Sequence, residues 1–282
     1  MNLFPLLNVL MMTGLLVSGV TMATNKATTA FTPEQETRIG EVVKEYLLAH
    51  PEVLAEVSQK LLNQQQEQQW QGLSGVVLQN LAELMYGEGT PSYGPDDAKV
   101  IVVEFFDYRC IDCALLAPEI KNVMTANPQV RFVFKEWPTF GRYWEDGRHW
   151  DDSKLAAKTG LQIWQQKGAD AYLEYHNAIY ATGHTGDKLT KEDVITAAKA
   201  VKFNTKTATD VQRTLDNIHE LSQQLGFSGP PVLVVFPSID ASAENISVIL
   251  GFTQATDLQK AIDKASTTKN SGSSAPQVEV KQ

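Results

Sequence analysis

Val100-Ile101-Val102-Val103-Glu104-Phe105-Phe106-Asp107-Tyr108-Arg109-Cys110-Ile111-Asp112-Cys113 is the stretch whose reading decides the fold. Val100 to Phe106 is apolar and partly β-branched except at Glu104, the pattern of a buried strand. A helix is expected from about Cys113 to Thr125, and Val130 to Lys135 reads as a second strand. Strand–helix–strand makes a βαβ unit with a right-handed crossover. Cys110 and Cys113 are the chain's 2 cysteines. Random placement would put them three apart in roughly 0.7% of cases, so the spacing needs a cause. At a strand-to-helix junction the first sulfur meets unpaired N–H groups and the positive end of the helix, which favour the thiolate. The second lies one turn inside and can resolve a mixed disulfide. Arg109 adds positive charge beside Cys110. A static tight-loop disulfide, or a two-thiolate Cu(I) site, would use the same pair.

Two further residues bear on that pair. An acid inside an apolar strand is costly without a purpose. Glu104 lies six residues before Cys110 and is expected beneath the two sulfurs, where burial would raise its pKa and let it exchange a proton with Cys113. The alternative is a solvated edge position. Gly229-Pro230-Pro231 precedes a late strand, Val232 to Phe236, which pairs with Ile246 to Leu250. Pro231 can hold a cis peptide bond in a loop that faces the cysteines, or stand in a simple trans turn.

Outward from this core, Met1 to Ala23 has no charged side chain and an interrupted apolar run, and reads as a secretory signal peptide cleaved near Ala23. An uncleaved membrane anchor is the alternative. Export implies an oxidising compartment, the periplasm. Residues 24–95 are expected to form a helical oligomerisation segment with a linker. Thr32 and Gln35 make a capping box with Pro33 between them, and two apolar stripes follow, Ile39 to Leu62 and Leu73 to Met85. Residues 96–266 read as the catalytic domain, with helices filling about 140–227, and 267–282 as a polar disordered tail. With 24 Lys+Arg against 33 Asp+Glu the chain carries −9, which argues against nucleic acid as a partner. At 43% hydrophobic it is neither disordered nor a multi-span membrane protein. His176 and His184 read as core or surface histidines rather than ligands, and Asn245-Ile246-Ser247 as a chance glycosylation match.

The run Val102 to Cys113 resembles the DsbA-like thiol–disulfide oxidoreductases, nearest to the branch of the suppressor-of-copper-sensitivity protein C and dimeric DsbA-type proteins. Tyr46-Leu47-Leu48-x-x-Pro51-Glu52-Val53-Leu54, Phe134-Lys135-Glu136-Trp137-Pro138 and Gly229-Pro230-Pro231 extend the resemblance over about Phe31 to Ala265. It implies an α/β thioredoxin fold with a helical insertion. It also implies Cys110 as nucleophile, Cys113 as resolving thiol, Glu104 as buried acid with Lys135 as its neighbour, and Pro231 as the cis-proline. The redox-active disulfide would be the only redox group, with no added cofactor and no resident metal. Partners would be unfolded or misoxidised exported proteins and a membrane redox partner, reductase or oxidase.

Three departures from that pattern matter. Ile111 and Asp112 stand where the family usually has Pro and then often His or Tyr. An anion about 5–6 Å from Cys110 would raise its pKa by roughly 1 unit, so a milder oxidant than a typical DsbA is expected. Pro230 stands where Thr or Val is common and has no N–H to give a substrate strand, so Gly229 and Pro230 would bind substrate less tightly. The run Arg142 to Trp150 is longer than the usual connection, and its aromatics either line a substrate groove or pack a loop. Pairing the N-terminal stripes between chains predicts a homodimer, or a trimer, with facing redox sites suited to isomerase work. The competing function is a copper-binding or copper-protective periplasmic protein with the two thiolates as ligands.

Overall fold

The structure is a computed structural model and describes residues 31–139, 150–204 and 209–267. The chain divides into two compact units, Met1–Leu62 and Asn63–Gln282. The signal segment, most of the expected tail and residues 142–149 of the aromatic run lie outside the described residues.

In the first unit, α1 spans Pro33–Ala49. Thr32 and Gln35 cap it reciprocally, as the sequence predicts, with Pro33 at its start. The next helix, α2 (Pro51–Gln79), begins in this unit. No residue of α1 is buried. From Ile39 to Leu61 every apolar side chain is exposed except the half-buried Leu47 and Val53.

The second unit is built on a five-stranded sheet in the order β1-β3-β2-β4-β5. The strands are β1 (Ser92–Tyr93), β2 (Val100–Phe106), β3 (Arg131–Glu136), β4 (Val232–Pro237) and β5 (Ser247–Leu250). β2 and β3 are parallel across α4 (Ile111–Ala126), and the other three pairings are antiparallel. Because side chains alternate along a strand, β2 serves two cores. Val100, Val102 and Phe106 pack with α4, α5 (Trp150–Lys167), α6 (Ala169–Ala181), α7 (Lys191–Ala200) and α9 (Ala255–Ser266). Ile101, Val103 and Phe105 pack with the end of α2, with α3 (Leu81–Tyr86) and with α8 (Gln212–Gln224). Helices α5 to α8 are the expected insertion, and they cover both faces.

One expected boundary moves. The second apolar stripe, read from sequence as part of the oligomerisation segment, belongs to the catalytic unit. Val77 and Leu84 are fully buried, and Met85 nearly so, against the Ile101–Val103–Phe105 face. Ile101, Val103 and Phe105 are all apolar, so without these residues the part of the face that α8 does not cover would lie open to water. Ser92–Tyr93, expected as linker, forms the edge strand β1. Among the described residues no helix is long and apolar enough to cross a membrane.

Candidate active site

Cys110 is the N-cap of α4, so its backbone is still extended while its side chain reaches the first turn. Its sulfur accepts the Cys113 N–H at 3.2 Å. The Cys110 thiol also reaches the Pro230 carbonyl at 3.5 Å. The helix begins at Ile111, two residues earlier than the sequence suggests, which places Cys113 inside the first turn and fully buried. Both cysteines stand as thiols.

The environment splits the two thiols. The Cys113 side-chain hydrogen bond lowers the Cys110 pKa, burial opposes it, the Cys113 backbone N–H assists, and the Asp107 and Asp112 charges oppose. Burial, then hydrogen bonding to Cys110 and the Cys110 charge, push Cys113 well up. Cys110 is therefore the better thiolate and Cys113 the better proton holder. Asp112 acts in the expected direction, but Asp107 opposes the thiolate too, and the net shift is downward. Asp112 is exposed and removable. The Asp112→His protein should have a Cys110 pKa lower by about 1 unit and be a stronger oxidant. Ultraviolet thiolate absorbance across a pH titration checks this; an unshifted curve would remove Asp112 from the account.

Glu104 is 2% exposed, and neither carboxyl oxygen has a hydrogen-bond partner. Burial first, and the Cys110 charge second, raise its pKa to about 8. It points to the Phe106 face of the sheet, which also carries Cys110 and Cys113, and its charge is felt at Cys113. Lys135 does not sit beside it. Glu104 is in register with Phe134, and Phe105 with Lys135, so the lysine lies on the opposite face. There Lys135 Nζ donates to the Glu83 carbonyl at 2.8 Å and to Thr90 Oγ1 at 3.3 Å, and burial lowers its pKa to about 8. The resemblance implies a Glu104–Lys135 pair; strand parity separates them.

The Pro230–Pro231 bond is cis. Gly229 and Pro230 are half-buried, and the Pro231 carbonyl accepts the Gly251 N–H at 2.9 Å, which fixes the loop to the end of β5. Ile111 and Leu115 are exposed beside the thiols, at 62% and 55%, an apolar rim of the kind an unfolded chain can contact. Arg109 turns Nε to the Gly186 carbonyl at 2.6 Å. His176 is a core histidine whose pKa burial lowers to about 3, and His184 is exposed and bonded to Asp193.

Two acids escape the sequence reading. Asp107 is buried and accepts the Arg109 N–H at 2.8 Å, the Thr139 N–H at 2.7 Å and the Ser153 hydroxyl at 2.6 Å. Glu136 is fully buried, with Oε1 accepting from Tyr108 and Tyr172, each at 3.0 Å. Burial raises the Glu136 pKa strongly. Both follow or end an apolar strand, and that position is the only signal the sequence offers for them.

Residues 87–235, which hold both cysteines and Pro231, match the thioredoxin model, and residues 35–69 match the copper resistance protein ScsC N-terminal domain. The chain belongs to the thioredoxin family. Within it the chain is DsbA-like and lies near ScsC, as the sequence resemblance implies. It is similar to BcfH of Salmonella enterica Typhimurium at 40% identity and TM-score 0.67, over 82% of this chain and 96% of that one. Disulfide bond formation protein D of Bacillus subtilis is 24% identical over 63% of this chain and 77% of its own length. A linker-deleted, point-substituted variant of Proteus mirabilis ScsC is 22% identical over 85% of this chain and 98% of its own, with TM-score 0.56, and shares the fold. This thioredoxin-family chain is a thiol–disulfide oxidoreductase.

Proposed function

We propose that the chain is an exported oxidoreductase that exchanges disulfides with protein substrates through Cys110-Ile111-Asp112-Cys113, as oxidase or isomerase, with a periplasmic location. The observation that carries this is the split between the two thiols: Cys110 caps α4 with its sulfur on the Cys113 N–H, while Cys113 is buried and feels the charge of Glu104, a buried acid with no hydrogen-bond partner. In the oxidising direction a substrate thiolate attacks Cys110 Sγ of the disulfide, a mixed disulfide forms, and the Cys110–Cys113 bond breaks. Cys113 leaves as a thiolate and takes the Glu104 proton, which that carboxyl holds at neutral pH. A second substrate thiolate attacks the substrate sulfur, and Cys110 leaves as the stabilised thiolate. In the isomerase direction the Cys110 thiolate attacks a wrong disulfide first. Pro231 and Gly229 shape the wall opposite the thiols, and the Pro230 carbonyl faces Cys110. The redox group is the cysteine pair itself, and a membrane redox partner resets it.

Reduction of insulin and refolding of scrambled ribonuclease, both with metal-free protein and chelator present, test this reading. Turnover is expected; activity only with copper would favour the two-thiolate metal site instead.

The exposed stripe from Ile39 to Leu61 supports a homo-oligomer, a dimer ahead of a trimer, because apolar surface in such a run is buried most simply by a second copy. Light scattering of the mature chain should give a multiple of the single-chain mass. A protein beginning at Asn63 should give one chain, since residues from Trp70 to Met85 belong to the core of the second unit. A single-chain mass for the mature protein would remove the oligomer and the isomerase argument built on it.

A further inference from the structure

The segment 107–109 is held from an unexpected number of sides. The Asp107 carbonyl accepts the Cys110 N–H at 3.0 Å and the Tyr180 hydroxyl at 3.3 Å. The Asp107 carboxylate takes Arg109 N and Ser153 Oγ on one oxygen and Thr139 N on the other. Gly186 N donates to the Arg109 carbonyl at 2.8 Å while Arg109 Nε returns a bond to Gly186 O. Ser153 belongs to α5, Tyr180 to α6 and Gly186 to the short 3-10 turn after it, so three parts of the insertion meet the thiol loop at this point. Thr139 comes from the exit of β3. Among the described residues this buried carboxylate has three donors, and its charge is felt at Cys110.

We propose that Asp107 is a positioning residue of the redox centre: its carboxylate fastens the thiol loop to β3 and the helical insertion, and its charge, tempered by the donors around it, sets how good a leaving group Cys110 is. The insertion thereby acts on the chemistry through one side chain. This rests on the redox reading of Cys110 proposed above. Two substitutions act on the charge in opposite senses. Asp107→Asn removes the anion and puts an N–H₂ group where an acceptor is needed. The Cys110 thiolate then loses the larger of the two charges that oppose it, and the protein should become a stronger oxidant. Ser153→Ala keeps the anion but removes a donor. Ser153 is 2% exposed, so water does not readily replace it, and the less tempered charge should make the protein a weaker oxidant.

The experiment titrates Cys110 by thiolate absorbance and equilibrates each protein with glutathione, after circular dichroism shows a native fold. Asp107→Asn should lower the Cys110 pKa by about half a unit, roughly threefold in the exchange equilibrium, and Ser153→Ala should raise it by a few tenths. A purely structural role predicts lower melting temperatures with both titrations unmoved, or both moved in one direction, and either result overturns the proposal. If Asp107→Asn does not fold, an unshifted or downward-shifted Ser153→Ala overturns it alone, and an upward shift supports it. A wild-type protein with no exchange at all would instead overturn the redox reading, so the two failures are distinct.

Discussion

The Cys110→Ser protein should lose at least ~10³-fold in exchange activity, and the Cys113→Ala protein should accumulate mixed disulfides with its substrates. The asymmetry follows from the first turn of α4. Cys110 is the cap whose sulfur receives the Cys113 N–H, and its thiolate is favoured. Cys113 is fully buried and holds its proton tightly, chiefly through burial. A substrate sulfur therefore meets Cys110, and Cys113 is the thiol of this chain that can release it. Without Cys113 the adduct persists and is visible on a non-reducing gel. Adducts through Cys113 in the Cys110→Ser protein, with none through Cys110 in the reverse variant, would invert the assignment.

Glu104→Gln should slow formation of the mixed disulfide in the oxidising direction by about 10²-fold and change how stability depends on pH. The native protein keeps the Glu104 proton up to about pH 8, against 4.5 for the free side chain. Between those values the unfolded chain binds fewer protons than the native one, so this residue makes stability fall as pH rises, by roughly a few kcal/mol across the window. His176, lowered from 6.5 to about 3, acts with the opposite sign at lower pH. Lys135, lowered from 10.5 to about 8, makes stability rise with pH only above the Glu104 window. Both are shared by wild type and variant, so the difference between the two proteins isolates Glu104. Urea melts at mildly acidic and mildly alkaline pH should show the variant gaining on the wild type as pH rises. A constant difference would mean that Glu104 is not buried as a neutral acid.

Much of this was legible because its signals are local. The Cys110–Cys113 spacing, the acid inside Val100 to Phe106 and the Gly229-Pro230-Pro231 break each announce themselves within a few residues. Helices α5 to α8 are also local in their periodicity. What escaped depends on register. Whether Lys135 meets Glu104 turns on a one-residue shift between β2 and β3, and the observed pairing sends them to opposite faces. The Leu73 to Met85 stripe looks the same whether it covers another chain or its own sheet. Its assignment needed the apolar Ile101–Val103–Phe105 face to be seen as unfilled. Asp107 looks like an ordinary turn acid until Thr139, Ser153 and Tyr180 arrive from distant parts of the chain.

The reduction potential of the Cys110–Cys113 pair tests the central claim most directly. Equilibration with glutathione, followed by thiol alkylation, should show one two-electron transition between the thioredoxin and DsbA extremes, roughly −250 to −150 mV. A pair that stays oxidised below about −300 mV would be a structural disulfide, and one that forms no disulfide at all would leave the exchange mechanism without its redox group.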